Sequence, residues 1–267
     1  MNSAIQFRIE ESIGVLLIDL PERRNALDWA AQADFAATIK DIAGRSDLRA
    51  LILTGAGEQV FVAGGDLSEL VQAPTAATGQ RLHEGMTAAL AQLNQLPIPV
   101  IAAINGLSVG GGSEILTACD LRLAVSSAQI RFSQVRMGLS TGWGGGRRLV
   151  AQIGQSRALE LLLTGRTMTA QEAYEMGFVH RLVDSQAELL PAALAWAREL
   201  AALPADALAG LKQMVHAQVN LPAQEARSAE GEIFLGLFGQ ANNREALAAF
   251  QARRQPQFNQ INGEAVA

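Results

Sequence analysis

The hydrophobic positions of this chain fall into two regimes. Up to about residue 140, short continuous apolar runs alternate with longer amphipathic stretches. The runs at 13–19, 50–54, 60–62, 100–104, 121–125 and 129–132 are rich in Val, Ile and Leu, and their brevity predicts strands. They do not alternate apolar with polar, so they predict strands covered on both faces, as in α/β proteins. Between them the spacing predicts a helix over 28–43, with Trp29, Ala33, Ala36, Ala37 and Ile39 on its apolar side, Asp28 as N-cap and Gly44 as stop. A second helix is expected over 79–96, halted by Pro97 and Pro99, and a short one through Cys119. After Trp143 helices dominate, near 145–153, 156–163, 169–175, 186–203, 205–219, 222–237 and 243–255, with no strand pattern past about residue 204. The pattern therefore predicts an α/β unit over 1–203 followed by a helical region over 204–267.

Length and composition narrow the possible classes. At 267 residues the chain is one large domain or a domain with an appendage. With 49% hydrophobic and 18% charged residues it is not a disordered polymer. A net charge of −5 argues against nucleic acid as a general partner. Only Lys40 and Lys212 among the 21 basic residues are lysines, so arginine carries nearly all the positive charge. The single Cys119 excludes an intramolecular disulfide framework and a multi-cysteine zinc site, which suits a reducing compartment. The start lacks a signal-peptide apolar region, and the longest uncharged apolar stretch, 96–109, is short and broken by Pro97, Pro99, Asn105 and Gly106. A cytoplasmic protein with no membrane partner is expected.

Three constellations could carry chemistry. In Phe61-Val62-Ala63-Gly64-Gly65-Asp66-Leu67, a strand ends in small residues that let the backbone approach another group; the same residues also suit a plain turn capped by Asp66. In Asn105-Gly106-Leu107-Ser108-Val109-Gly110-Gly111-Gly112-Ser113-Glu114, three glycines precede a helix whose free N–H groups favour negative charge, including charge that develops only in a transition state. Glu114 there is a candidate acid/base or a cap. The same stretch matches the G-x-S-x-G elbow, so a serine hydrolase using Ser108 with His180 or His216 is an alternative. The third, Phe132 to Gly138 and Thr141 to Leu149, fits neither a dinucleotide nor a P-loop pattern, and Arg147 and Arg148 read as a solvated helix start. His83, His180 and His216 lack metal-ligand spacing.

In order and spacing, these stretches resemble the crotonase superfamily, the enoyl-CoA hydratase/isomerase family, over nearly the whole chain. Arg23-Arg24-Asn25-Ala26-Leu27 is similar to its early CoA-contacting segment, Ala63 to Leu67 to its first oxyanion loop and Asn105 to Glu114 to its second. Leu163 to Arg166, with Ala170, Ala173, Gly177 and Val179, and Phe250 to Arg254 with Phe258, are similar to later helical signatures. The resemblance implies a spiral core of β-β-α turns, a helical C-terminal trimerisation region, and a homotrimer or dimer of trimers. It implies an acyl-CoA substrate, no metal, and no cofactor beyond that coenzyme A. The N–H groups of Gly65 and Gly111 would hold the thioester oxygen. Arg24, Ala26, Ala63, Asp66, Leu67 and Ser68 would lie along CoA, and Trp143 would wall the acyl pocket.

The resemblance also exposes a departure. The family's hydratases use two glutamates; Glu114 matches the first, but Gln134 stands where the second is expected. Glutamine has no titratable proton for acid/base work, although it can orient water. The implied function is a hydratase/isomerase-family enzyme with a divergent acid/base site. The alternative is a decarboxylase of an alkylmalonyl-CoA, because Met137-Gly138 through Trp143-Gly144-Gly145 and Arg148-Leu149-Val150 resemble ethylmalonyl-CoA decarboxylase-like members. A non-catalytic CoA-binding protein is the alternative of another class.

Overall fold

The computed structural model describes residues 3–259. Strands β1 (Ile5–Glu10) and β2 (Ile13–Ile18) form an antiparallel hairpin whose turn puts Glu11 at φ 59°. There follow α1 (Trp29–Ala43), β3 (Ala50–Gly55), β4 (Val60–Val62), α2 (Leu67–Leu70), α3 (Ala76–Asn94), β5 (Val100–Ile104), β6 (Leu107–Val109) and α4 (Gly111–Ala118). Strands β7 (Leu121–Val125) and β8 (Gln129–Arg131), helices α5 (Gly145–Ile153) and α6 (Gln155–Thr164), β9 (Thr167–Thr169), α7 (Ala170–Glu175), β10 (Arg181–Val183) and α8 (Gln186–Ala201) come next. Helices α9 (Ala205–Asn220), α10 (Ala223–Leu237) and α11 (Ala241–Ala252) complete the helical C-terminal region.

The strands form two sheets, ordered β1-β2-β3-β5-β7-β10 and β4-β6-β8-β9. The pairs β3/β4, β5/β6 and β7/β8 each give one strand to either sheet, and strands of successive pairs run parallel to each other. The chain thus climbs one strand per turn, which is the spiral of β-β-α turns that the resemblance implies. All residues of β3 and β5 are buried, and α8 packs across this sheet, so continuous rather than alternating apolar runs are needed.

Caps explain where the helices start. The Asp28 side chain accepts from Ala31 N at 2.8 Å, as expected, and Gly44 closes α1. Helix α3 begins before the expected position because the Thr75 hydroxyl accepts from Thr78 N at 3.2 Å. Strands β1, β6, β9 and β10 were not expected from the pattern, and three of them are only three residues long. The outer ends of the two expected units, 1–2 and 260–267, lie outside the described residues.

One largely buried ion pair ties α9 to the core. Lys212 Nζ donates to Asp120 Oδ2 at 2.6 Å and to Ile98 O at 2.8 Å, with side chains only 13% and 19% exposed. The same carboxylate oxygen accepts from Val100 N at 2.8 Å. Burial raises the Asp120 pKa against the opposing pull of Lys212. Lys212→Met leaves that carboxylate without its cation and should destabilise the chain by about 3 kcal/mol in urea unfolding at neutral pH. The folded state of the variant holds the Asp120 proton to higher pH than the unfolded chain does. Its stability should therefore fall as pH rises through the carboxylate range, and Asp120→Asn in the same background should remove that slope.

Candidate functional site

Two loops meet at the C-terminal ends of β4 and β6. Gly64 adopts φ +92°, and a methyl built on it would lie 3.1 Å from Gly111 N, so the two backbones touch here. Gly65 is held by a parallel bridge to Leu27: Leu27 N donates to Gly64 O at 2.8 Å and Asp66 N to Leu27 O at 3.0 Å. These bonds use the groups on either side of Gly65 N–H. Neither that N–H nor Gly111 N–H donates to an acceptor among the described residues.

The three consecutive glycines have different causes. Gly110 takes φ +55° at the N-cap of α4. A methyl on Gly111 would strike the Trp143 indole at 2.5 Å, and one on Gly112 would strike Val62 O at 2.0 Å. The indole also comes within 3.7 Å of a methyl built on Gly65, as does Leu82 Cδ1. One buried ring therefore lies against both glycines, beside two unpaired N–H donors, one of them at a helix N-terminus. Such a site can stabilise a developing oxyanion.

Glu114, 1% exposed, sits beneath the ring. Its Oε1 accepts from Gln134 Nε2 at 2.9 Å and Gly142 N at 3.0 Å; its Oε2 accepts from Trp143 N and Gly145 N, both at 2.8 Å. A carboxylate has about four acceptor sites, and here all are filled. The amide hydrogen of Gly145, at the start of α5, thereby gains the partner that a helix N-terminus needs, and those of Gly142 and Trp143 in the preceding segment are satisfied as well. Gly145 is glycine because any side chain would run into Glu114 Cγ at 2.6 Å.

The structure brings Gly65, Gly111, Glu114, Gln134 and Trp143 together. Asp66 caps the short α2 through Ser68 N at 2.8 Å and pairs with Arg23, which also reaches Asp28 at 2.7 Å. These partners hold the Asp66 carboxyl below its usual range, Ser68 most strongly and then Arg23. Arg24, at φ 58°, accepts from Ala63 N at 3.2 Å and so links the segment containing Ala26 to the first loop. Leu67 is exposed.

Other expectations change. Arg148 is not a solvated helix start: its guanidinium donates to Thr117 Oγ1 at 3.0 Å and to Trp143 O at 3.1 Å, and burial lowers its pKa. Arg147 is exposed as expected. The Ser108 nucleophile fails geometrically, because Ser108 is fully buried inside β6 and its hydroxyl meets Ser113 Oγ at 3.4 Å. Of its proposed bases, His180 is engaged elsewhere, its Nδ1 accepting from Arg122 N at 3.2 Å, and His216 lies on α9. Cys119 is buried, which pushes its thiol up to about 12 and leaves it unreactive.

Sequence reasoning gave no role to three residues that build this site. Asn25 is wholly buried; its Oδ1 accepts from Leu20 N at 2.9 Å and its Nδ2 donates to Val60 O at 2.8 Å. Asn105 Nδ2 donates to Gly57 O at 2.8 Å, on the same loop before β4. His83, on α3, shares a hydrogen bond of 2.6 Å with Gly142 O. The two asparagines lie within quoted motifs, but the loops they brace come from distant parts of the chain.

Among the described residues no group of three His, Cys, Asp or Glu side chains could hold a metal ion, and no helix is long and apolar enough to cross a membrane. The chain is similar to the short-chain-enoyl-CoA hydratase of Clostridium acetobutylicum, 33% identical over 245 residues, covering 92% of this chain and 93% of that protein. It is also similar to the ethylmalonyl-CoA decarboxylase of Gallus gallus, 32% identical over 241 residues, covering 90% and 80%. The crystal structure of enoyl-CoA hydratase from Bacillus anthracis superposes with a TM-score of 0.90 at 30% identity, covering 96% and 98%. The family model for enoyl-CoA hydratase/isomerase matches residues 8–262, and with these relatives it establishes that this chain belongs to the enoyl-CoA hydratase/isomerase family, the crotonase superfamily.

Proposed function

We propose that this enzyme decarboxylates an alkylmalonyl-CoA, with the thioester enolate held by the N–H groups of Gly65 and Gly111. The observation that carries the reading is the saturation of Glu114. Hydration needs a carboxylate free to take a proton from water, and every acceptor site of Glu114 is already occupied. Its neighbour Gln134 has no titratable proton. Decarboxylation requires neither group: the electrons of the breaking C–C bond flow into the thioester, and the oxyanion donors stabilise the charge that results.

Charge at position 134 supports the same reading. A substrate carboxylate about 4 Å from a second carboxylate would lose about 4 kcal/mol at an effective dielectric of 20, and a neutral amide avoids this repulsion. The Trp143 indole and Leu82 offer an apolar wall for the alkyl group. Arg24, Ala26, Ala63, Asp66, Leu67 and Ser68 border the CoA path. The similarity to the Clostridium hydratase favours a second reading, a hydratase/isomerase-type lyase with an altered acid/base site. Phe234, Leu235 and Phe250 on the C-terminal helices are 62%, 72% and 85% exposed, which fits a homotrimer or a dimer of trimers.

A panel of acyl-CoA thioesters followed by mass spectrometry separates these readings. Ethylmalonyl-CoA or methylmalonyl-CoA should lose carbon dioxide, whereas crotonyl-CoA should gain no water; hydration at ordinary hydratase rates would reverse the assignment. Gly111→Ala pushes a methyl into Trp143, so the donor or the ring must move by a fraction of an ångström or more. Turnover should fall by about 100-fold while circular dichroism stays native. Light scattering on the purified chain should give a mass of three or six copies.

A further inference from the structure

We propose that the amide oxygen of Gln134 seats the water that protonates the enolate, making Gln134 a positioning residue and water the proton source. This inference rests on the decarboxylase reading. Gln134 Oε1 is buried, and no donor among the described residues reaches it. Buried side-chain oxygens almost always have a partner, so an orphan beside a reaction site implies a group that arrives from solvent or substrate.

The orientation of the amide follows from Glu114. A carboxylate only accepts hydrogen bonds, so at 2.9 Å it must face the NH₂ end of Gln134; the reverse flip would press two acceptor oxygens together. The oxygen is therefore turned away from Glu114. Gln134 begins the 3₁₀ turn Gln134–Met137, and a methyl built on Gly110 would lie 3.5 Å from the adjacent Ser133 Oγ. That turn thus lies beside the N-terminal end of α4, next to Gly111. An acceptor there takes one O–H of a water and leaves the other free.

Among the described residues, the titratable side chains placed at the site already have partners. Glu114 on α4 has no vacant acceptor site, Arg148 on α5 is committed to Thr117 and Trp143, and His83 on α3 is bonded to Gly142 O. The step balances without another reactant. The C–C bonding pair enters the enolate as carbon dioxide leaves, water gives its proton to the α-carbon, and the hydroxide adds to carbon dioxide as hydrogencarbonate.

Decarboxylation of methylmalonyl-CoA in D₂O tests this. The wild-type product should carry one deuterium at the α-carbon in a single configuration, because the water is held on one face. Gln134→Leu should still release carbon dioxide, more slowly, but give both configurations, a change that a purely structural role would not produce. Gln134→Glu serves as the conservative variant and guards against a leucine variant that fails to fold. Its protonated carboxyl can donate to Glu114 and present its carbonyl as the amide does. It should therefore keep the single configuration at acid pH and slow as pH rises and a second carboxylate forms beside Glu114. Retention of a single configuration by Gln134→Leu, or mixed configuration from the wild type, overturns this inference alone. Mixed configuration from Gln134→Glu at acid pH overturns it as well. If the wild type releases no carbon dioxide from either alkylmalonyl-CoA, the decarboxylase reading falls and this inference falls with it.

Discussion

The site depends on one buried carboxylate. Glu114 on α4 accepts two backbone N–H bonds from the segment before α5, one from the first residue of α5 and one from the side chain of Gln134, and through them it ties two helices and a turn together. Burying a carboxylate is costly unless its oxygens are fully bonded, and exposing three buried amide hydrogens without a partner is costly too. Each problem answers the other. The result is a braced backbone: the main chain of Trp143 is held at its N–H by Glu114 and at its C=O by Arg148, which fixes the point from which the ring reaches the two glycines.

The loops above that segment are rigid for a related reason. Gly64 and Gly111 touch backbone to backbone, and Gly112 lies against Val62 O, so α4 and β4 pack closer than side chains would allow. Buried asparagines then satisfy the irregular backbone that such closeness leaves unpaired. Asn25 takes Leu20 N and the carbonyls of Ala56, Val60 and Phe61, while Asn105 takes Gly55 N and Gly57 O. Donors aimed in advance need no reorganisation when charge develops, which is where an oxyanion site gains its catalytic value.

This division explains what could be read from the sequence. Strands such as β3 and β5 declare themselves because both faces are buried and four or five apolar residues run together. The three-residue strands β6, β9 and β10 have no such run; they exist because the spiral places them beside partner strands contributed by distant parts of the chain. Gly111 was legible because its close approach to the Trp143 indole demands glycine, whereas a methyl on Gly65 would make only ordinary contacts at 3.7 Å, so Gly65 was legible from its motif alone. The state of Glu114 was not, since the same residue in the same motif serves as acid, base or clamp according to what α5 presents, 28 to 31 residues later. Arg148 was misread for the same reason: its two partners, Thr117 and Trp143, are brought together only by the packing of α4 on α5.

The fold by itself does not choose a reaction. Relatives named as hydratase and as decarboxylase share about a third of this chain's residues over nearly its full length, so the spiral and its oxyanion loops are compatible with both chemistries. What differs is the fate of the enolate, which depends on the charge and the free lone pairs within reach of the α-carbon. A pair of unencumbered carboxylates can take a proton from water and add its oxygen. In the proposed reading, a saturated carboxylate beside an amide does neither, and the amide oxygen is the neutral acceptor that holds water. The replacement of a titratable oxygen by an amide at position 134 and the occupation of every acceptor site on Glu114 are therefore one change seen from two sides. Gln134 Nε2 fills a site on Glu114, and its own oxygen is left without a donor among the described residues.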